Sequence, residues 1–495
     1  MQSSEEENAA PRIYFIPFPT PGHALPMSDL ARLFASRGAD ATLVLTRANA
    51  ARLGGPVARA AAAGLRIRVH ALTLPAEAAG LTGGHESADD LPSRELAGPF
   101  AVAVDLLAPL FADLLRRRPA DAVVFDGVLP WAATAAPELR IPRYAFTGTG
   151  CFALSVQRAL LLHAPQDSVA SADEPFLVPG LPDAVRLTKS RLAEATLPGA
   201  HSREFLNRMF DGERATAGWV VNSFADLEQK YIGHYEKETG KPVFAVGPVC
   251  LVNGDGDDVL ERGRGGEACA ATDAARVLTW LDTKPARSVV YVCFGSLTRF
   301  PREQVAELGM GLAGSGVSFV WVVGEKKASA SLPDIDTAVS AGRGLVITGW
   351  APQVAVLRHA AVGAFVTHCG WGAVTEAAAA GVPVLAWPVF AEQFYNEALV
   401  VGLAGTGVGV GAERGYVWGG EESGGVVVGR ETVAERVRAA MADNGLRQRA
   451  EEVGERARRA VEMGGSSYDA VGALLYDVLR RRRELAAEPG NLFKV

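Results

Sequence analysis

Two groups of residues far apart in the chain have the types and spacing to do chemistry. One is a single imidazole, His23, in the run Thr20-Pro21-Gly22-His23-Ala24-Leu25-Pro26 that follows an apolar stretch, Arg12 to Pro19. On its own a single histidine in a loop is more often incidental than catalytic; its place just after an apolar strand, taken together with the second group, singles this one out. The other group lies in WAPQVAVLRHAAVGAFVTHCGWGAVTEAAAAGVPVLAWPVFAEQ, Trp350 to Gln393. Its opening, Trp350-Ala351-Pro352-Gln353, is a Pro-punctuated loop with an indole face for a base and an amide beside it. His368 and the backbone amides from Gly370 through Trp371, Gly372 and Ala373 can cradle a diphosphate. Glu376, on the first turn of a helix, can accept from ribose hydroxyls. Glu392 and Gln393 form an acceptor–donor pair suited to neighbouring sugar hydroxyls. Together these describe a nucleotide-sugar site.

The elements that must position these groups can be read from the pattern. Val362 to Val366 predicts a short buried strand delivering Thr367-His368-Cys369-Gly370 at its C-terminal end. A helix over Val374 to Ala380, closed by Gly381 and Pro383, and a strand over Val382 to Ala386 come next. Anions bind at such strand ends, because free N–H groups and the helix dipole favour negative charge. The opening of the chain has the same logic. A strand over Arg12 to Pro19, a helix with Leu30, Leu33 and Phe34 on one face, and a strand over Ala41 to Thr46 make a βαβ unit. That puts His23 at the strand-to-helix junction.

Further along, Arg66 to Leu72 is a strand, Ala97 to Arg116 an amphipathic helix and Ala122 to Phe125 a buried strand ending in Asp126. Asp126 could simply cap the next helix. Arg143 to Thr147 is the next strand, Gly148-Thr149-Gly150 opens a helix, and Phe176 to Leu197 reads as irregular. Cys250 to Ala271 is Gly-, Asp- and Glu-rich without periodicity and reads as a flexible linker, with a second such loop over Ala412 to Arg430. The expected organisation is residues 1–249, a linker over 250–271, and 272–495, with the last helix returning to the first domain.

At 495 residues, 48% hydrophobic and 21% charged, the chain can bury a sizeable core. A net charge of −7 argues against nucleic-acid binding. The five cysteines show no CxxC spacing, so neither a disulfide framework nor a zinc site is indicated. The acidic start, MQSSEEENAAPR, is unlike a leader peptide, and no uninterrupted apolar run reaches membrane-spanning length. A cytosolic monomer with no membrane span is the expectation.

The Trp350 to Gln393 stretch resembles the donor-binding signature box of plant secondary-product UDP-glycosyltransferases, from WAPQ through HCGW to EQ. The N-terminal Gly-His turn and the Asp126-to-Trp131 segment are similar to that family as well. The resemblance implies a GT-B fold, two Rossmann-like α/β domains facing across a cleft. It makes His23 the general base and Asp126 its partner. It assigns Trp350 to uracil stacking, Gln353 to the uridine, His368 with the residues after it to the diphosphate, and Glu376 to the ribose. Ser296, in the Phe294-Gly295-Ser296 turn, lies near phosphates and ribose in this scheme. Glu392 and Gln393 meet the sugar, and Gln at the last position implies glucose. Gly22, Thr149 and Phe390 are the acceptor-side candidates.

The implied activity is inverting, metal-independent transfer from UDP-glucose, a co-substrate rather than a cofactor, to a small-molecule acceptor. Phe394 to Val400 resembles the subgroup acting on flavonoids, triterpenoids and steroids. One departure stands out. The family has Asn-Ser where this chain has Gly372-Ala373, so an amide and a hydroxyl are missing, which predicts weaker nucleotide binding with function kept. Two other readings are C-glucosylation of a phenol and a nucleotide-sugar-binding protein without turnover. A related UDP-sugar epimerase is a further one, though it has no need of the plant-type box. A pure binder has no use for both His23 and Asp126.

Overall fold

The computed structural model describes residues 9–193, 196, 200–254, 256–262, 268–323, 333–416 and 425–487. The acidic start 1–8, parts of both Gly-rich loops (255, 263–267 and 417–424) and the last residues 488–495 lie outside the described residues.

Apolar runs of three to seven residues in the first half form a seven-stranded parallel sheet. Its strands are β1 (Arg12–Ile16), β2 (Asp40–Thr46), β3 (Ile67–Leu72), β4 (Ala122–Asp126) and β5 (Arg143–Thr147). A small antiparallel hairpin, β6 (Phe176–Leu177) with β7 (Arg186–Leu187), stands apart, and β8 (Gly218–Val221) and β9 (Val243–Ala245) complete the sheet. The order is β3-β2-β1-β4-β5-β8-β9. The second half forms a six-stranded parallel sheet from β10 (Val289–Cys293), β11 (Ser318–Val323), β12 (Gly344–Thr348), β13 (Val362–Thr367), β14 (Val384–Ala386) and β15 (Gly407–Gly409). Its order is β12-β11-β10-β13-β14-β15. Intervening helices make each half a Rossmann-like α/β unit. In each, the order reverses beside the first strand, and a crevice opens there at the strand C-termini. β1 and β4 flank the first crevice, β10 and β13 the second.

Several elements differ from expectation for local reasons. The Ala97 to Arg116 stretch is two helices, Ala97–Asp105 and Leu107–Arg117. Pro109 has no N–H for the Asp105 carbonyl, so the ladder is interrupted there. Their shared apolar face, including Phe100, Val104, Phe111 and Leu115, is buried in the first core. Arg47–Ala62 is a helix that the Gly54-Gly55-Pro56 punctuation conceals. Asn49, Leu53, Val57 and Ala60 give it a buried stripe at helical spacing. The supposed linker is not a bare tether over 250–262. Cys250, Asn253 and Val259 are buried, and Arg262 is ion-paired to both halves.

The halves are joined at several points. The last helix, Ser466–Ala487, packs Val471, Leu474 and Val478 onto the first sheet, and the Tyr144 hydroxyl donates to Asp477 at 2.5 Å. The segment after β7 crosses to the second half. There Ala193 N–H donates to the Tyr395 hydroxyl at 3.1 Å, and the Arg191 guanidinium donates to the Ala412 carbonyl at 3.2 Å. The Trp371 indole, from the second half, donates to the Asn222 carbonyl at 2.9 Å and lies on Gly150. A Cβ at Gly150 would come within 2.6 Å of that ring and 2.7 Å of the buried Glu228 carboxylate. Glu228 cannot give way, since it accepts from Phe152 N–H at 2.7 Å and Cys151 N–H at 3.3 Å at a helix start. Gly150→Ala should therefore destabilise the protein by roughly 1–3 kcal/mol, the usual range for overpacking. An unchanged denaturation midpoint would show that the interface yields more easily than this geometry allows.

Candidate active site

His23 occupies the first turn of the Pro21–Ser36 helix, whose start Pro21 pre-sets. Its Nδ1 lies 2.8 Å from Asp126 Oδ2. Asp126 ends β4, is 1% exposed, and is held in place by two backbone donors. Phe18 N–H reaches Oδ2 at 3.0 Å and Val128 N–H reaches Oδ1 at 3.2 Å. The capping alternative fails, because the short helical turn Pro130–Ala133 has no side-chain cap. With Nδ1 committed to Asp126, Nε2 is the nitrogen left to accept a proton. Burial disfavours the imidazolium, but the Asp126 carboxylate and, more weakly, Glu392 outweigh it and raise the His23 pKa above its ordinary value.

The ring is held on two sides. A Cβ at Gly148 would meet His23 Cε1 at 3.1 Å, so the 148–150 turn presses its backbone against the imidazole. Phe18 stands edge-on to the ring at 5.7 Å, and Phe100 edge-on to Phe18 at 6.0 Å. Thr149 sits on the same turn with its hydroxyl buried and unbonded. Gly22 is exposed, with open space where a Cβ would go.

The second crevice carries the donor-side candidates. His368 follows β13 and lies between Gly295 and Gly370, where a Cβ would come within 2.9 and 2.5 Å of its ring. Gly295 and Cys369 adopt φ of +71° and +61°, the left-handed region, to turn the backbone around it. Burial pushes the His368 pKa down to about 4, so the ring is a neutral donor at neutral pH. The next helix starts at Trp371, three residues earlier than the pattern suggested, so Gly372 and Ala373 are in its first turn and their N–H groups lack intrahelical partners. Ser296 lies exposed after β10. Trp350 and Ala351 are half-buried in the loop after β12.

Three expectations need correcting at the level of atoms. The Trp371 side chain is not available to a donor, because it is buried in the interface between the halves. Gln353 spends its Nε2 on Glu376 Oε2 at 2.7 Å, which leaves its oxygen for other work. Gln393 spends its oxygen on the Val389 and Phe390 N–H groups at 2.9 and 3.0 Å, which leaves Nε2 as the donor a sugar hydroxyl can use. Phe390, half-buried, caps the same turn. Glu392 follows Ala391, a left-handed residue at φ +53°, and Asn396 Nδ2 bridges its carboxylate (3.2 Å) and the Cys369 carbonyl (2.8 Å). Burial raises the Glu392 pKa, against hydrogen bonds from its own backbone, Asn396 and Trp371 and the nearby His23. The 148–150 turn, against His23 at one end and under the Trp371 indole at the other, brings the two crevices face to face.

Sequence reasoning missed Phe18, Gly148, Asn396 and Arg262. Phe18 and Gly148 could have been suspected from their places beside His23 and Thr149. Arg262 is hidden in a Gly-rich run that reads as solvent-exposed.

Comparison with known proteins gives this geometry a context. Residues 263–413 match the family described as UDP-glucoronosyl and UDP-glucosyl transferase. The chain is 39% identical over 478 residues to an anthocyanin 3'-O-beta-glucosyltransferase of Gentiana triflora, covering 94% of this chain and 98% of that one. It is 38% identical to a scopoletin glucosyltransferase of Nicotiana tabacum over 94% of this chain and 97% of that one. Among solved structures, UGT73P12 of Glycyrrhiza uralensis, complexed with glycyrrhetinic acid 3-O-monoglucuronide, superposes with a TM-score of 0.88 at 35% identity, covering 96% and 97% of the two chains. UGT71G1 of Medicago truncatula, complexed with UDP-glucose, gives 0.77 at 25% identity over 96% of this chain and 100% of that one. With relatives this similar along nearly its whole length, the chain belongs to the plant family 1 UDP-glycosyltransferases, enzymes of glycosyl transfer.

Proposed function

We propose that this glycosyltransferase is an inverting UDP-glucose-dependent enzyme that glucosylates a hydroxyl of a lipophilic acceptor of the flavonoid, triterpenoid or steroid type. The observation that carries the reading is the His23–Asp126 pair at 2.8 Å, backed by the 148–150 turn on whose far end Trp371 of the second half packs. His23 Nε2 takes the acceptor hydroxyl proton while Asp126 stabilises the imidazolium. The acceptor oxygen attacks the sugar C1 from the face opposite the diphosphate. The bond from C1 to the diphosphate oxygen breaks, and UDP leaves. An α-linked donor thus gives a β-glucoside. Negative charge on the leaving diphosphate falls at the helix N-terminus at Gly372 and Ala373, with His368 and Ser296 as further donors, and the step needs no metal or cofactor. Gln393 Nε2 and Glu392 supply a donor and an acceptor to adjacent sugar hydroxyls.

The acceptor class is supported by the aromatic surroundings of His23, Phe18 and Phe100, and by the anthocyanin and scopoletin in the relatives' names. Cys151, Cys250, Cys293 and Cys369 are all free thiols, in keeping with a cytosolic protein, and we take the working unit to be a monomer.

The direct test is UDP release from UDP-glucose against a panel of flavonoid, triterpenoid and steroid acceptors, with products identified by mass. Acceptor-dependent release that falls about 10²–10⁴-fold in His23→Ala is the expected result. Tight UDP-glucose binding without turnover on any acceptor would reject the reading.

The dyad also sets a pH signature. A base must be neutral to act, and the His23 pKa is raised, so the acid limb of kcat/KM should lie above the ordinary histidine value of about 6.5. Asp126→Asn removes the charge that raises it, so the limb should move to lower pH while kcat falls. A limb that stays put in Asp126→Asn would mean that another group titrates.

Space at Gly372 is open, with nothing within 4 Å of a built Cβ. Restoring the missing amide and hydroxyl as Gly372→Asn/Ala373→Ser should tighten UDP by about tenfold or more, one hydrogen bond to a charged group being worth roughly 1.5–3 kcal/mol. Calorimetry decides it; equal affinity would show that the backbone amides already suffice.

A further inference from the structure

Between the two halves lies a buried cluster whose arginine and aspartate, Arg262 and Asp29, have no part in the transfer step described above. Arg262 forks between two carboxylates. Its Nε donates to Asp29 Oδ2 at 2.8 Å, from the helix that carries His23, and its Nη1 donates to Glu376 Oε1 at 2.6 Å. The remaining oxygen of each acid is also occupied. Asn253 Nδ2 donates to Asp29 Oδ1 at 2.7 Å, and Gln353 Nε2 donates to Glu376 Oε2 at 2.7 Å. The three charged side chains are only 11% (Arg262), 6% (Asp29) and 8% (Glu376) exposed. Glu261, the preceding residue, is paired with Arg59 of the first half at 2.5 Å, which anchors the turn.

Each Glu376 oxygen accepts one donor here and keeps a second lone pair. Those lone pairs match a vicinal diol such as the 2′- and 3′-hydroxyls of a ribose. Ionised, Glu376 is acceptor-only and can serve both hydroxyls. Swung aside, it can serve one at most. Without Arg262, Asp29 and Glu376 would be two buried acids with no shared cation between them, and nothing would fix the direction of the Glu376 carboxylate. We propose that Arg262 is a positioning residue of the donor site, holding the Glu376 carboxylate aimed at the ribose while tying it through Asp29 to the acceptor-side domain. The inference rests on the UDP-sugar reading of the cleft.

Its test compares binding of UDP and 2′,3′-dideoxy-UDP by calorimetry in wild type and Arg262→Met, together with initial rates. Arg262→Met should weaken UDP about tenfold and leave the dideoxy analogue within about twofold, so that preference for the ribose hydroxyls shrinks. KM for UDP-glucose should rise, with acceptor KM and kcat changing by less than about threefold. Arg262→Lys keeps the charge but cannot fork between two acids, so it should fall between. Because Arg262→Met strands a buried acid and could unfold the chain, the double variant Asp29→Asn/Arg262→Met serves as a second arm, removing that charge while still lacking the fork. It should show the same narrowed preference.

An unchanged preference in the folded variants, equal weakening of both ligands, or tighter UDP binding would each overturn the proposal. Tighter binding would make Arg262 a competitor for the ribose site. If wild type binds dideoxy-UDP as well as UDP, Glu376 does not read the ribose and the inference falls alone. If wild type binds neither, the functional reading falls and takes the inference with it.

Discussion

Everything at the cleft depends on how two pairs of parallel strands are hydrogen-bonded at their C-terminal ends. Ile16 of β1 lies beside Phe125 of β4, so the turn leaving β1 and the last residue of β4 emerge together. Cys293 of β10 lies beside Thr367 of β13 in the same manner. A shift of one residue in either pairing would reverse which face each side chain meets, and in the first pairing it would part the imidazole from its carboxylate. The backbone ladder, a strong and directional set of bonds, thereby fixes distances between side chains that are over a hundred residues apart in the chain.

Two histidines show how the same side chain is set to different tasks by its surroundings. His23 has a carboxylate on one nitrogen and the charge of a second acid, Glu392, acting on it, which together favour the protonated ring. His368 has two glycines against its ring, and burial holds it neutral, as a hydrogen-bond donor without a full charge. Neither difference could be read from the words Gly-His and Thr-His-Cys alone. Each arises from what the fold packs beside the ring.

Much of the architecture was legible in the chain. Buried strands of β-branched and aromatic residues, bounded by Gly and Pro, mark both sheets, and the box from Trp350 to Gln393 marks the donor side. The limits have physical causes. Arg47–Ala62 escaped notice because Gly and Pro ordinarily interrupt helices, while tertiary burial of one stripe keeps this one intact. Trp371 looked like a ligand contact because it adjoins the phosphate loop, yet the indole is drawn into the interface by Asn222 and the space above Gly150. The side-chain ends of Gln353 and Gln393 were beyond reach, since which end of an amide is free depends on neighbours that only the folded chain supplies. Arg262 failed for the opposite reason. Its local sequence is that of a solvated loop, and only two acids from distant helices bury it.

The segment after β7 has a bearing on how such proteins diversify. It belongs to the acceptor side by sequence, but it is fastened to the donor half through the Tyr395 hydroxyl and the Ala412 carbonyl. Acceptor loops are often treated as interchangeable cassettes on a constant scaffold. Here the cassette's anchor points lie on the scaffold's other half, one of them, Tyr395, just beyond Glu392 and Gln393. A change of substrate range through this segment is thus constrained by inheritance on both sides of the cleft, and the two halves must co-vary at that seam.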